Sequence, residues 1–231
     1  MIDIRRFETL GGANHGWLDA NFHFSFAEYF DQRRMHWGRL RVWNDDIIGP
    51  RSGFPPHPHS DMEIITYVRK GAITHKDSLG NEGRTEAGDV QVMSAGTGIT
   101  HAEYNLEDEE THSFQLWILP DSKGHAPSWG TRQFPRDDRA GRFVVLASGR
   151  EGDGDALRIH ADARVLGANV RAGETIEYDL GGRKAYLVPA SGQIEIEGEV
   201  INARDGVAIA DLATLQIVAV QDSELVMVDT A

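Results

Sequence analysis

Two histidines one residue apart, His57 and His59, and a later His-x-Glu pair, His101 and Glu103, carry donor types that hold a transition metal. In an extended strand the side chains alternate faces, so residues i and i+2 point the same way. If the two pairs lie on strands opposite each other in a barrel, the imidazoles and the carboxylate converge on one point. Four protein ligands would leave room on an octahedral ion for water, substrate or O2. A lone His-x-His is weak, and the bland alternative is a set of barrel histidines bonded to backbone. The setting favours the ligands. Pro55, Pro56 and Pro58 stiffen the chain around His57, and an apolar run, Ile64 to Val68, closes at Gly71. Farther on, Gly88-Asp89 opens a strand (Val90 to Met93), Gly96-Thr97-Gly98 reads as a tight turn, and His101 and Asn105 follow. Glu63, four residues beyond His59 on the same face, is a second carboxylate candidate.

The elements that must position these residues read as strands. Phe22, Phe24 and Phe26 fall at period two, giving one aromatic face whose ordinary role is core packing and whose functional role would be to wall a pocket for an aromatic substrate. His15 and His23 lack ligand-spaced partners; His23 is expected buried and His15 in a Gly-rich loop. A strand from Arg39 runs through Leu40 and Val42 to Asn44-Asp45-Asp46, expected to be a turn. Adjacent carboxylates face opposite ways on a strand, so turn capping is preferred over a catalytic pair. Ser78 to Gly83 reads as a hairpin loop, with His75 before it expected exposed. Glu107 to Glu110 reads as a solvated loop. In Phe114 to Leu119, alternation puts Phe114, Leu116 and Ile118 on one face, with Gln115 and Trp117 on the other. Residues 121–141 look like the connection between two barrels, pinned by Trp129 and Phe134.

From Phe143 to Asp229 a second period of strands reads as a degraded repeat of the first. Superposing Gly192 on Gly71 and Asp205-Gly206 on Gly88-Asp89 puts Tyr178 and Leu180 where His57 and His59 stand, and Ala219 and Gln221 opposite His101 and Glu103. No histidine follows Ala161, so this half is expected to be metal-free.

Composition narrows the function. Lys+Arg 23 against Asp+Glu 36 gives 23 − 36 = −13, and no basic stripe interrupts the acidic surface, so nucleic acid is not an expected partner. A small phenol, neutral until it ionises, is compatible with that field. The chain has no cysteine, which excludes disulfides and thiolate chemistry and fits a reducing compartment. No apolar run reaches the length of a membrane span, and the start, Met1 to Arg6, has no signal-peptide core, so a cytoplasmic location without membrane contact is expected.

The two histidine blocks resemble the paired metal motifs of cupins. More narrowly, His15-Gly16-Trp17-Leu18, His23 to Ala27, Arg41 to Asp46, His57-Pro58-His59 and Ser94 to Gly98 resemble the pirin family over most of residues 1 to 120. That resemblance implies an all-β chain of two tandem cupin β-barrels, a bicupin with few short helices. Residues 1–135 would be the metal-binding barrel and 136–231 the barrel without a metal. It implies ligands His57, His59, His101 and Glu103, with Glu103 ranked above Glu63, which would support the ligands from behind. Bacterial members resemble quercetin 2,3-dioxygenases. The implied reaction opens the heterocycle of a flavonol such as quercetin with O2 and releases carbon monoxide, with a small phenolic substrate and O2 as partners. Glu103 would be ligand and catalytic base in turn, with Glu63 the fallback. The expected cofactor is one divalent transition metal, iron first, with Mn, Co, Ni, Cu or Zn open. Two other readings stand beside this one. Eukaryotic pirins resemble metal-containing regulators acting through protein partners, and a cupin-type isomerase would work without oxygen.

Overall fold

The structure is a computed structural model that describes residues 1–231. Strand β1 (Ile2–Arg5) is followed by β2 (Gly11–Asn14), β3 (Leu18–Phe22), β4 (Leu40–Ile48), β5 (Ser52–His59), β6 (Glu63–Lys70), β7 (Ala72–Asp77), β8 (Glu82–Glu86), β9 (Val90–Ser94), β10 (Ile99–Asn105), β11 (Thr111–Ile118) and β12 (Ser128–Arg132). The chain continues with β13 (Val144–Ser148), β14 (Leu157–Arg158), β15 (Ala163–Val170), β16 (Thr175–Asp179), β17 (Lys184–Ser191), β18 (Gln193–Ile196), β19 (Glu199–Asn202), β20 (Gly206–Ile209), β21 (Thr214–Ala219) and β22 (Ser223–Thr230). The only helical elements are short 3-10 turns at Phe7–Thr9, Gln32–Arg34 and Arg136–Arg139. None is long and apolar enough to cross a membrane.

The strands form two compact units. The first holds residues 11–134 and 157–162; the second holds 1–10, 135–156 and 163–231. Each is a jelly roll flattened into two facing sheets. In the first unit the larger sheet runs β12-β9-β6-β11-β4-β3-β2 and the smaller β5-β10-β7-β8. In the second unit the larger sheet contains β1-β20-β17-β22-β15-β13 and the smaller is β16-β21-β18-β19. Its core is continuous and apolar, with Leu180, Leu187, Ile194, Leu215 and Ile217 at 0 to 1 % exposure. The first unit's apolar clusters instead leave the cavity between its sheets partly polar.

Several expectations change here. Asn44, Asp45 and Asp46 form no turn: they are buried within the continuous strand β4. Parity sends each acid to a different side, and distant partners make that tolerable. Asp45 pairs with Arg69, whose guanidinium lies 4.4 Å over the Phe114 ring, while Asp46 faces the cavity. The aromatic strand stops at Phe22, and the chain turns with Ala27 at φ +49°. Phe22 and Phe26 still meet, their ring centres 5.3 Å apart. Within 121–141, Ser128–Arg132 is not connection but strand β12, paired with β9. Glu63 does not continue the His59 strand. The chain reverses through Asp61 (φ +48°), and Glu63 opens β6 in the other sheet. The hairpin loop after Asp77, the tight turn at Gly96 to Gly98 and the buried His23 are as expected.

Candidate metal centre

Strands β5 and β10 are hydrogen-bonded neighbours rather than opposite walls of a barrel. His101 stands directly across from His57, and Ile99 across from His59. The shared face therefore follows from register as well as from parity. Gly53 lets β5 lie this close, since a Cβ there would sit 2.3 Å from the Glu103 carbonyl oxygen. At the far end of β10, the buried Asn105 amide donates to the carbonyls of Ile48, Gly49 and Glu109, clamping the acidic loop against the end of β4.

The ligand atoms of His57, His59 and His101 lie within 4.8 Å of one another. That is close to the spacing one ion needs, given metal–nitrogen bonds of about 2.0–2.1 Å. Trp117, on the inward face of β11, stands with its ring 5.1 Å from His59 and shields the group from the opposite sheet. His59 and His101 are held neutral. Burial and the neighbouring His57 lower His59 to about 4, and burial followed by His57, His59 and His75 lowers His101 to about 3. Neutral imidazole is the form that binds metal.

Hydrogen bonds also settle which nitrogens are free. His57 Nδ1 lies 2.7 Å from the Pro55 carbonyl, which only accepts, so Nδ1 carries the proton and Nε2 the lone pair. His75 Nε2 lies 3.1 Å from Asp77 Oδ2 and must donate to it. The lone pair on His75 Nδ1 then faces His101 Nδ1 at 3.4 Å, which places the His101 proton on Nδ1. His101 Nε2 is left buried with no hydrogen-bond partner. An orphaned, unprotonated nitrogen beside two other imidazoles is what a metal site offers, and the residues fit a divalent ion on that ground.

His75, expected exposed, is instead fully buried, because β7 lies between β8 and β10 and Trp129 stacks on its ring at 4.8 Å. It is the buried histidine beside the site that sequence reasoning missed. The available signal was parity with Asp77 two residues on, the pattern of a histidine oriented by a carboxylate.

Glu103 groups with His75 and His101, all three within 4.8 Å. Between His101 and Glu103 the register with β5 shifts, and the extra residue falls at Pro55-Pro56, where missing amide protons favour a bulge. The carboxylate is buried, and both of its oxygens accept hydrogen bonds. Gln91 donates at 2.5 Å and Thr66 at 3.1 Å to Oε1, and Gln115 at 2.8 Å to Oε2. These donors are register partners on β9, β6 and β11, with Asn44 of β4 next in the row. The signal for them is a polar residue at an inward position of an apolar strand. Burial raises Glu103 to about 7 against those three hydrogen bonds, which poises it to exchange a proton near neutrality. Glu63 faces elsewhere: burial raises it, Ser94 donates to it at 2.5 Å, and His160 and His125 lie near it.

An apolar cavity of about 340 Å³ adjoins this site, walled by Trp17, Phe22, Phe26 and Phe54. Phe54 approaches the His57 ring at 6.3 Å, and Phe26 reaches Trp117 at 5.4 Å. Gln115 lines the cavity and touches Glu103.

Comparison with known proteins gives a consistent set of relatives. The family model described as Pirin matches residues 4–118, and that described as Quercetinase C-terminal cupin domain matches residues 145–230. A pirin-like protein of Caulobacter vibrioides is 65 % identical over 232 residues, covering 100 % of both chains. Quercetin 2,3-dioxygenase of Escherichia coli strain K12 is 40 % identical over 99 % of this chain and 98 % of its own. The crystal structure of bacterial pirin YhhW from Escherichia coli in complex with nickel(II) matches with a TM-score of 0.93 at 38 % identity, covering 100 % of this chain and 99 % of that one.

Proposed function

The chain belongs to the pirin family, and from that membership we propose that it is a metal-dependent dioxygenase that opens the heterocycle of a flavonol such as quercetin with O2 and releases carbon monoxide. The observation that carries this reading is the orphaned His101 Nε2 beside His57 and His59, next to a buried carboxylate and an aromatic-walled cavity. His57, His59, His101 and Glu103 hold the ion, iron being our first choice. When bound, a divalent ion adds a positive charge that lowers the pKa of a coordinated hydroxyl and offers open positions to substrate and O2.

The rest falls to the chain's own residues. The aromatic walls take the flat rings and exclude water. Glu103 accepts the proton of the flavonol 3-hydroxyl, and Gln91, Thr66 and Gln115 hold its carboxylate in place throughout. The Asp77–His75 pair keeps His101 in the tautomer whose Nε2 faces the site. The chemistry is confined to the unit that holds residues 11–134 and 157–162. The test is oxygen uptake and carbon monoxide release on adding quercetin to metal-loaded protein, with metal content measured on the same sample. Stoichiometric uptake and release are expected. Absence of both with every flavonol tried would overturn the reading and leave a metal-holding binding module.

A further inference from the structure

The apolar cavity has a polar end that the reaction does not use. Asn44 and Asp46 project from β4 into it at i and i+2, each about 3 % exposed, and the Oδ1 atom of each has no hydrogen-bond partner. Leaving a buried acceptor unpaired costs about 1–3 kcal/mol, so two side by side at the end of a pocket point to a ligand that donates to them. The walls suit a flat ring. Asp46, Phe54 and Gln115, which line the cavity, also lie around Glu103.

We propose that this cavity binds the phenolic ring of the substrate remote from the metal, and that Asn44 and Asp46 select for a hydroxyl on that ring. The inference deepens the flavonol reading and rests on it for the substrate class. A hydroxyl reaching this end donates to one of the two oxygens. Asp46 is itself pushed well above the ordinary carboxylate range by burial and then by the Asp45 and Glu103 carboxylates. A ring lacking the hydroxyl leaves the pair unsatisfied, and sites built on hydrogen bonds to a substrate hydroxyl reject such analogues far more strongly than apolar pockets reject a missing methylene.

The experiment uses flavones that lack the 3-hydroxyl, so that turnover plays no part. Dissociation constants of flavone, 4′-hydroxyflavone and 4′-methoxyflavone are measured by calorimetry on metal-loaded wild-type protein and on Asp46→Leu and Asn44→Leu. Wild type should bind 4′-hydroxyflavone at least about tenfold tighter than flavone, and the methyl ether, which has no proton to donate, no tighter than flavone. Each substitution should shrink the preference to below about threefold. Equal binding of all three, a preference that survives both substitutions, or no binding would overturn the proposal. Should a variant fail to fold, the hydroxyl-to-methoxy comparison on wild type still decides. A protein that shows the preference without oxygen uptake keeps this pocket and loses the oxygenase reading, and the reverse result does the opposite.

Discussion

The two jelly rolls have the same wiring and opposite interiors. Matching Gly192 to Gly71 aligns β16, β21, β18 and β19 with β5, β10, β7 and β8, strand for strand. In the second unit Tyr178 pairs across from Leu215, as His57 pairs across from His101. Following that register, Leu180 stands for His59, Ile217 for Glu103 and Ile196 for His75. The expected counterparts of His101 and Glu103, Ala219 and Gln221, were four residues too far along, because counting through loops ignored where β21 pairs. Leu180, Ile196, Leu215 and Ile217 are all buried at 0 to 1 % exposure. The difference shows that the scaffold does not need the polar interior. One copy fills the space with hydrocarbon and gains burial free energy; the other keeps imidazoles and a carboxylate there and leaves a cavity beside them.

Exchanging residues between the units tests this most severely. His101→Leu, which puts the second unit's residue into the first, should abolish metal retention and lower flavonol turnover by more than about 100-fold while leaving a folded protein. Metal analysis and circular dichroism check both halves of that expectation. The reverse exchange, Leu215→His, buries a polar ring without the His75–Asp77 support and should destabilise the protein by about 2–3 kcal/mol in urea without adding a second metal equivalent. A second bound ion would break the comparison.

The carboxylates come next in size. Glu103→Gln removes the only anionic member of the proposed ligand set and should cost about 100-fold in metal affinity and turnover, whereas Glu63→Gln, whose carboxylate faces Ser94, should leave metal content near normal. Loss of metal from the Glu63 variant with retention in the Glu103 variant would reverse the assignment.

Acidity should also distinguish the polar interior. A carboxyl whose folded value, about 7, lies above its ordinary 4.5 holds its proton more tightly in the folded state. Its contribution is therefore full below about 4.5 and lost as pH rises through about 7, and Asp46 acts in the same direction. Metal-free protein should lose about 2 kcal/mol of stability between pH 5 and pH 7 in denaturant titrations, and Glu103→Gln should flatten part of that slope. A stability that rises over this range would contradict it.

The smallest effect is expected where the support is indirect. Asp77→Asn leaves one accepting oxygen where His75, Leu79 and Asn81 share two, and turns a donor toward His75 when that oxygen faces the loop; it should weaken metal binding by about tenfold with little change in melting temperature. An unchanged metal affinity would remove Asp77 and His75 from the centre.

Local periodicity was enough to recognise many of the strands, the shared face of His57 and His59 and of His101 and Glu103, and the common face of Gln115 and Trp117, because side-chain direction in a strand is set by the backbone alone. The absence of histidine after Ala161 already excluded a copy of the site in the second unit. Burial of His75 was decided elsewhere, by the placement of β10 on one side of its strand, β8 on the other and Trp129 over its ring. The same holds for Asp45 and Asp46. Two adjacent acids read as a turn until Arg69, distant in sequence, is seen to neutralise one and the cavity to receive the other. The row of Asn44, Gln115, Thr66 and Gln91 exists only through register between four strands. A sequence specifies which way each side chain points along its own strand; what waits for it there depends on long-range pairing, and that is decided when the sheets close on one another.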